Sequence, residues 1–390
     1  MLDKELSNDL KELVSNNLYR QRKSIGAIEG EKIRINNNWV HNFSSNDYLG
    51  LTQNEEIKKS IINGIKIYGN GSGASHLISG HYSIHDNIEK LIAQNLGFDK
   101  SILFTSGFSA NIGTINAICG RKDVIFSDKL NHASLNEASI LTKSKFCRYK
   151  HLNINHLEEL LKKYTGKRKF IISDSVFSMD GDLIDLPAIL RLCEKYDAYL
   201  YLDDAHGYGV LGVNGQGVLE HYYPKLDIPT EQRKRIIYML TLGKSVGVAG
   251  AIVSGNSEII DFILQKAKTY IYTTALSPAF AKGIYTSLDI VKKGIKLRKK
   301  LTKSIEIFRN GIKNKKLLSN SITPIQPILI NDTNQSIKLS ENLLKKGFYV
   351  PVIRPPTVPK NTSRLRVSIS VLHKQSSINN LVEIINLNTK

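Results

Sequence analysis

From Asn46 onward, short apolar runs alternate with longer segments of helical periodicity. Ser101–Ser106 reads as a strand punctuated by Gly107, and Ala110–Cys119 as a helix stopped by Gly120. The rhythm recurs with a Phe170–Asp174 strand, a Pro187–Tyr196 helix and an Ala198–Leu202 strand. This alternation predicts an α/β fold, a mostly parallel sheet with helices on both faces. Ile236–Leu240 is a further apolar strand. Ahead of the alternating region, Leu2, Leu6, Leu10 and Leu13 fall at helical spacing, and Ile28–Phe43 reads as a hairpin-like stretch. After it, lysine-rich helical sequence from Ser287 to Leu318 leads into strands at Ile325–Ile330 and Arg364–Ser370. The expected organisation is an N-terminal helix with small strands over residues 1–45, a large domain over 46–286, and a smaller C-terminal α+β domain over 287–390.

Composition excludes several classes. A chain of 390 residues, 41% hydrophobic and 23% charged, is ordinary for a globular enzyme and needs neither disulfide nor metal to hold it together. Cys119, Cys147 and Cys193 are far apart, without the paired spacing of a zinc site or disulfide framework, so no metal is expected and the usage is cytosolic. The N-terminus lacks the apolar stretch of a signal peptide, and no apolar run approaches the ~20 residues that span a bilayer. The expectation is a cytoplasmic protein with no membrane association. The net charge of +19 raises the question of nucleic acid. The basic residues are scattered, with Arg233–Arg235 and Lys292–Lys300 the nearest approach to clusters, and no nucleic-acid motif accompanies them. The surface reads as solvated, without nucleic-acid binding; an acidic partner that delivers substrate is the alternative worth carrying.

Three motifs carry chemistry. Leu202-Asp-Asp-Ala-His-Gly207 places two carboxylates and an imidazole immediately after a buried strand, where open α/β sheets bind ligands. Taken alone, the carboxylates could equally cap a turn. Thr241-Leu-Gly-Lys-Ser-Val-Gly247 follows another strand and flanks Lys244 with small residues. Burial there would lower the amine's pKa and make it a nucleophile toward a carbonyl. Gly107-Phe108-Ser109, between a strand and a helix, directs backbone N–H groups at an anion. A lysine for an aldehyde, a carboxylate for a pyridinium and a cup for a phosphate are the supports that pyridoxal 5'-phosphate needs. The glycine run Gly69–Gly73 follows no clear strand and lacks the dinucleotide-binding pattern.

At these motifs the chain resembles the α-oxoamine synthases, a branch of the fold-type I pyridoxal-phosphate transferases. The resemblance runs from about Arg20 to Arg366 through Asn42–Leu51, Gly71–Ser75, Thr105–Phe108, Asn131–Ser134, Val176–Asp182, Asp203–Gly207 and Thr241–Lys244. It implies that Lys244 holds the cofactor as a Schiff base and later moves the substrate proton. It further implies that Asp203 pairs with the pyridine nitrogen, His206 lies near the ring oxygen and His132 stacks on the ring. By the same resemblance Ser178 and Thr241 hydrogen-bond the cofactor, while Gly107 and Phe108 offer backbone to its phosphate. Asn46 and Arg366 match groups that hold the amino-acid carboxylate, and Arg20 and Thr357 match positions that contact the acyl substrate. Thr273 matches a residue that reaches the phosphate of a neighbouring subunit, which implies a homodimer.

Within the family, Ile353–Pro359 and the Asp-Asp-Ala-His-Gly form point to the biotin-pathway branch, which condenses L-alanine with a pimeloyl thioester, on CoA or on acyl carrier protein, and releases carbon dioxide. The alternatives are sister acyltransferases, using glycine with acetyl- or succinyl-CoA or serine with a fatty acyl thioester, and, in a different class, an inactive nucleic-acid-binding regulator. Tyr208 stands where a small or polar residue is expected, the Lys244 loop reads Ser-Val-Gly-Val-Ala-Gly, and residues 221–235 match no familiar pattern.

Overall fold

A mixed sheet of seven strands organises the chain. In this computed structural model, which describes residues 2–16, 18–355, 357–359 and 361–389, the strands are β1 (Lys100–Phe104), β2 (Val124–Asp128), β3 (Lys145–Tyr149), β4 (Lys169–Asp174), β5 (Ala198–Asp203), β6 (Ile236–Thr241) and β7 (Ala251–Gly255). Pro356, within the Ile353–Pro359 segment singled out above, lies outside the described residues. The spatial order is β1-β7-β6-β5-β4-β2-β3. Strands β2 to β6 pair in parallel, and β7 runs antiparallel to both β1 and β6.

Successive residues of a strand point to opposite faces, so a sheet covered on both sides must be apolar throughout. That is what these strands show. Leu103, Phe126, Ile171, Leu200, Leu202, Tyr238 and Leu240 belong to one buried cluster, while Phe104, Ile125, Ile172, Tyr201, Ile237 and Met239 belong to a second. Each such side chain, fully buried, stabilises by about 1.5–3 kcal/mol relative to exposure. The fold class follows as expected, an α/β sheet with helices on both faces and smaller sheets beside it.

Two smaller sheets bring distant segments to the central one. Ile25–Glu29, Lys32–Ile35 and Asn38–Asn42 form an antiparallel set that Phe348–Tyr349 joins in parallel. Ser363–Ser368 lies between Ile325–Asn331 and Val352–Ile353. The Ser368 amide donates to the Phe43 carbonyl at 2.8 Å, stitching these two sheets together just where Asn46 and Arg366 stand.

Some boundaries differ from expectation, for local reasons. The helix expected at Ala110 begins at Gly107, because the Ser106 hydroxyl accepts from the Ser109 amide and so caps the chain earlier. Lysine-rich sequence after Ser287 divides at Gly294 into helices Pro278–Lys293 and Ile295–Gly311. Helix Leu2–Ser15 forms as its periodicity predicts, yet buries no residue, and Leu2, Leu6, Leu10 and Leu13 are all exposed. Cys119, Cys147 and Cys193 are free thiols, all buried. No helix among the described residues is long and apolar enough to cross a membrane.

Candidate active site

Asp174, Asp203 and Thr241 are the last residues of β4, β5 and β6, three neighbouring parallel strands. Asp174 and Asp203 are register partners. The carboxyl end of a parallel sheet is where helix N-termini and loops converge, and Asp203, His206 and Lys244 gather there.

Lys244 lies in the loop after β6. Its Nζ is 2.8 Å from His206 Nε2. Burial lowers the amine's pKa to about 8, against the opposing pull of Asp203 and Asp174. His206 is itself buried, and its Nδ1 is 2.7 Å from the Tyr48 hydroxyl. Desolvation first, then the neighbouring Lys244 and Arg366 charges, push its pKa well below the ordinary imidazole value, so the ring is neutral.

The adjacent carboxylates Asp203 and Asp204 have different surroundings. Asp203 Oδ2 accepts from Asn111 Nδ2 at 2.8 Å and Oδ1 from the Ala205 amide at 3.0 Å. Asn111 is oriented in turn by the Tyr201 hydroxyl, which donates to its Oδ1 at 2.7 Å. Asp204 instead turns into the protein, accepting from the Ser175 and Tyr238 hydroxyls and, at 2.9 Å, from the Val218 amide. Burial raises its pKa to about 7 even against those donors. A Cβ at Gly207 or Gly217 would run into the Asp204 carboxylate, which accounts for both glycines.

His132 caps helix Ala133–Leu141, with Nδ1 2.7 Å from Ser134 Oγ, and its amide donates to Asp174 Oδ2 at 2.6 Å. Ser134 Oγ also accepts from Asn111 at 2.8 Å, so the mounts of His132 and Asp203 are linked. Gly107 and Phe108 open helix Gly107–Ile118, whose first-turn N–H groups have no intrahelical acceptor. A Cβ on Gly107 would lie 3.8 Å from Thr241 Oγ1, which sets the expected phosphate contact Gly107 beside Thr241, an expected hydrogen-bond partner of the cofactor. Arg366 Nη2 donates to Asn46 Oδ1 at 3.1 Å and its Nε to the Ser178 carbonyl at 2.6 Å. Arg20, His132, Ser178 and Thr357 line one cleft of about 700 Å³. No hydrogen bond among the described residues ties Thr273 to these groups; it follows helix Lys268–Ile271, beside the 80% exposed Tyr272.

With this geometry in view, comparison with known proteins is informative. The model of the family described as aminotransferase class I and II matches residues 39–385. The chain belongs to that family. Among curated members, the 8-amino-7-oxononanoate synthase of Methylobacillus flagellatus is 42% identical, the match covering 94% of this chain and 91% of the relative. The synthase of that name from Dechloromonas aromatica is also 42% identical, over 98% of both chains. A solved 8-amino-7-oxononanoate synthase from Francisella tularensis superposes with a TM-score of 0.77 at 30% identity, covering 89% of this chain and 97% of that one. A serine palmitoyltransferase from S. paucimobilis superposes with a TM-score of 0.91 over 100% and 98%, but at 23% identity it speaks to the fold alone. The architecture is that of the fold-type I pyridoxal-phosphate transferases.

Three residues that hydrogen-bond into this cluster, Asn111, Tyr48 and Asp174, are not marked by the motifs. Asn111 stands one helical turn beyond Gly107, on the same side of the helix, and that spacing was the available signal. Tyr48 sits inside the quoted Asn42–Leu51 motif without an assigned role. Asp174 ends its strand as Asp203 does, but lacks a neighbouring histidine to draw attention.

Proposed function

We propose that the chain catalyses the reaction its relatives are named for, condensing L-alanine with a pimeloyl thioester to give 8-amino-7-oxononanoate. A carbon–carbon bond forms between the alanine α-carbon and the thioester carbonyl, the thiol departs, and the alanine carboxyl leaves as carbon dioxide. The observation that carries this reading is end-to-end similarity, 42% over 98% of the chain, to a synthase of that name.

Pyridoxal 5'-phosphate is the cofactor, and the residues present fit it. It supplies an electron-poor ring that accepts the negative charge left when the α-proton departs. Lys244 is the amine for its aldehyde, because burial has already made the neutral, nucleophilic form accessible near neutral pH. Asp203, held by Asn111 and Ala205, would pair with the ring nitrogen and keep it protonated. The open N–H groups of Gly107 and Phe108 would receive the phosphate, and Thr241 beside them would hydrogen-bond the cofactor. His132 would cover one face of the ring, Ser178 would hydrogen-bond the cofactor and His206 would lie near the ring oxygen.

Arg366 and Asn46 hold the alanine carboxylate. Lys244 would take the substrate α-proton and later return one. Arg20 and Thr357, which line the cleft, would meet the acyl substrate. Thr273 serves the phosphate of a second copy, so the active unit is a homodimer. The exposed apolar side chains of Phe108, Tyr272 and Ile78 support such an interface. The acyl group arrives on CoA or on acyl carrier protein, an acidic partner suited to a chain of net charge +19.

The experiment is product analysis. Enzyme loaded with pyridoxal 5'-phosphate should convert L-alanine and pimeloyl-CoA into 8-amino-7-oxononanoate, identified by mass, with one carbon dioxide released per product. Turnover of glycine or serine in preference to alanine would reassign it to a sister acyltransferase.

A further inference from the structure

The five side chains from Arg366 to Lys244 form one unbroken chain of hydrogen-bonding contacts. Arg366 Nη2 donates to Asn46 Oδ1 at 3.1 Å, and Tyr48 Oη is 3.1 Å from the same Asn46 oxygen. Tyr48 Oη lies 2.7 Å from His206 Nδ1, and His206 Nε2 lies 2.8 Å from Lys244 Nζ. Tyr48 is wholly buried and keeps its proton, since burial raises the phenol's pKa.

Proton counting makes the middle of this chain two-valued. A neutral imidazole carries one ring proton, and a phenol has one to give. Tyr48 therefore donates either to Asn46 or to His206, not to both. If it donates to Asn46, it accepts from His206 Nδ1–H, and bare Nε2 accepts from the Lys244 ammonium. If it donates to His206 Nδ1, the ring proton sits on Nε2, the nitrogen that faces Lys244 Nζ. The first arrangement suits an empty site with a charged lysine. The second suits a site in which Lys244 has spent its protons and an acceptor oxygen lies opposite His206.

We propose that Tyr48 is the positioning residue that sets the tautomer of His206, holding it as Nδ1–H in the empty site and as Nε2–H once the cofactor is bound. The inference rests on the proposed cofactor reading but adds a residue and a state to it. Through Asn46, the same phenol senses the group that anchors the substrate carboxylate. A carboxylate that draws Arg366 away from Asn46 leaves the Asn46 oxygen a freer acceptor, and so couples substrate arrival to the donor His206 presents.

The test is ¹⁵N-histidine NMR of the full-length protein, with the His206 signal assigned by its loss in His206→Gln. Without cofactor, His206 should show a protonated Nδ1 and a bare Nε2; pyridoxal 5'-phosphate should exchange them. Tyr48→Phe should abolish the exchange, leaving one tautomer mixture in both states. Asn46→Leu, which removes the competing acceptor, should give Nε2–H in the empty protein at pH 9, where Lys244 is largely neutral and can accept from Nε2. This second variant decides the question if Tyr48→Phe does not fold. Unchanged His206 tautomers in either variant would overturn the proposal. Borohydride reduction and peptide mapping test the underlying reading separately: a pyridoxyl label on a lysine other than Lys244 would defeat that reading, while the empty-site tautomer is measured with no cofactor present.

Discussion

The Asn111 side-chain amide donates a 2.8 Å hydrogen bond to Asp203 Oδ2, and both residues are buried. A carboxylate that must face a ring nitrogen has two oxygens and free rotation about its last bond, so one oxygen has to be pinned for the other to be aimed. Hydrogen bonds to charged groups contribute about 1.5–3 kcal/mol. Asn111→Ala should therefore reduce the rate of alanine α-proton exchange by roughly 10- to 100-fold, since ~1.4 kcal/mol corresponds to a factor of ten. Deuterium loss from labelled alanine measures it, and an unaffected rate would show that Asp203 needs no such support.

Asp203→Asn keeps the shape of the side chain and removes its charge. Cofactor should still bind, while α-proton exchange falls by at least the roughly 10²–10⁴-fold usually assigned to one catalytic group. Near-normal exchange would remove Asp203 from its assigned place opposite the ring nitrogen.

Asp204 should behave in the opposite way. Replacing it with Ala leaves the Ser175 and Tyr238 hydroxyls and the Val218 amide without their acceptor. At about 1–3 kcal/mol for each buried unsatisfied group, the variant should lose about 3 kcal/mol or more of folding stability. Urea denaturation of the cofactor-free proteins checks this. A variant as stable as its parent, yet unable to bind cofactor, would exchange the assigned roles of the two carboxylates.

Lys244 sets the pH dependence of cofactor attachment. Only the neutral amine has a lone pair for the aldehyde, and burial brings its pKa down to about 8. Below that pH the ammonium predominates, so the rate of attachment to cofactor-free protein should climb about tenfold per pH unit up to pH 8 and level off above it. Stopped-flow absorbance follows the reaction. A rate still rising tenfold per unit between pH 9 and 10 would mean an ordinary, solvated lysine. Lys244→Ala should show no attachment at any pH.

Mixed dimers test whether Thr273 crosses to its neighbour. Subunits carrying Lys244→Ala and subunits carrying Thr273→Ala, refolded together, should yield one unaltered site in each mixed dimer. That site should bind cofactor with parental affinity. If Thr273 served its own subunit, no site in the mixture would be intact and tight binding would not return.

The central sheet was readable because both its faces are covered, which forces nearly continuous apolar runs such as Phe170–Ser173 and Ile236–Leu240. Lys244, Asp203 and His206 were readable because their chemistry is concentrated in two short loops. What the chain order concealed is of another kind. Asn111 and Asp203 are 92 positions apart, and their hydrogen bond exists only because Gly107–Ile118 packs on β6 and β7, beside the end of β5. The antiparallel turn of β7 was equally hidden, since Ala251–Gly255 is apolar like its parallel neighbours and strand direction leaves no mark on composition. Thr273 remains a statement about two chains that one chain does not contain.

The positive charge makes a further prediction about the acyl carrier. If an acidic carrier protein is a substrate, its encounter with a chain of net charge +19 is steered at long range. Raising ionic strength from 0.1 M to 1 M shortens the screening length from ~10 Å to ~3 Å. Turnover efficiency with the pimeloyl carrier protein should then fall more steeply than with pimeloyl-CoA. Equal salt dependence, or no turnover of the carrier protein, would leave the charge as surface composition.

The antiparallel pairing of β6 with β7 has a consequence for how this protein can diverge. Thr241 and Ala251 are cross-strand partners, and the Leu242 amide closes the neck of the intervening loop on the Gly250 carbonyl at 2.8 Å. Gly247, at the far side, is pressed so closely on the Leu51–Thr52 backbone that no side chain fits there. Lys244 thus rides on a segment clamped at both ends and backed by a wall. Over generations such a segment can exchange letters but cannot change its count: one inserted residue would turn the lysine away from His206 while leaving every motif in the chain intact. Descendants that have lost the reaction should therefore be recognisable by loop length before they are recognisable by the loss of any residue.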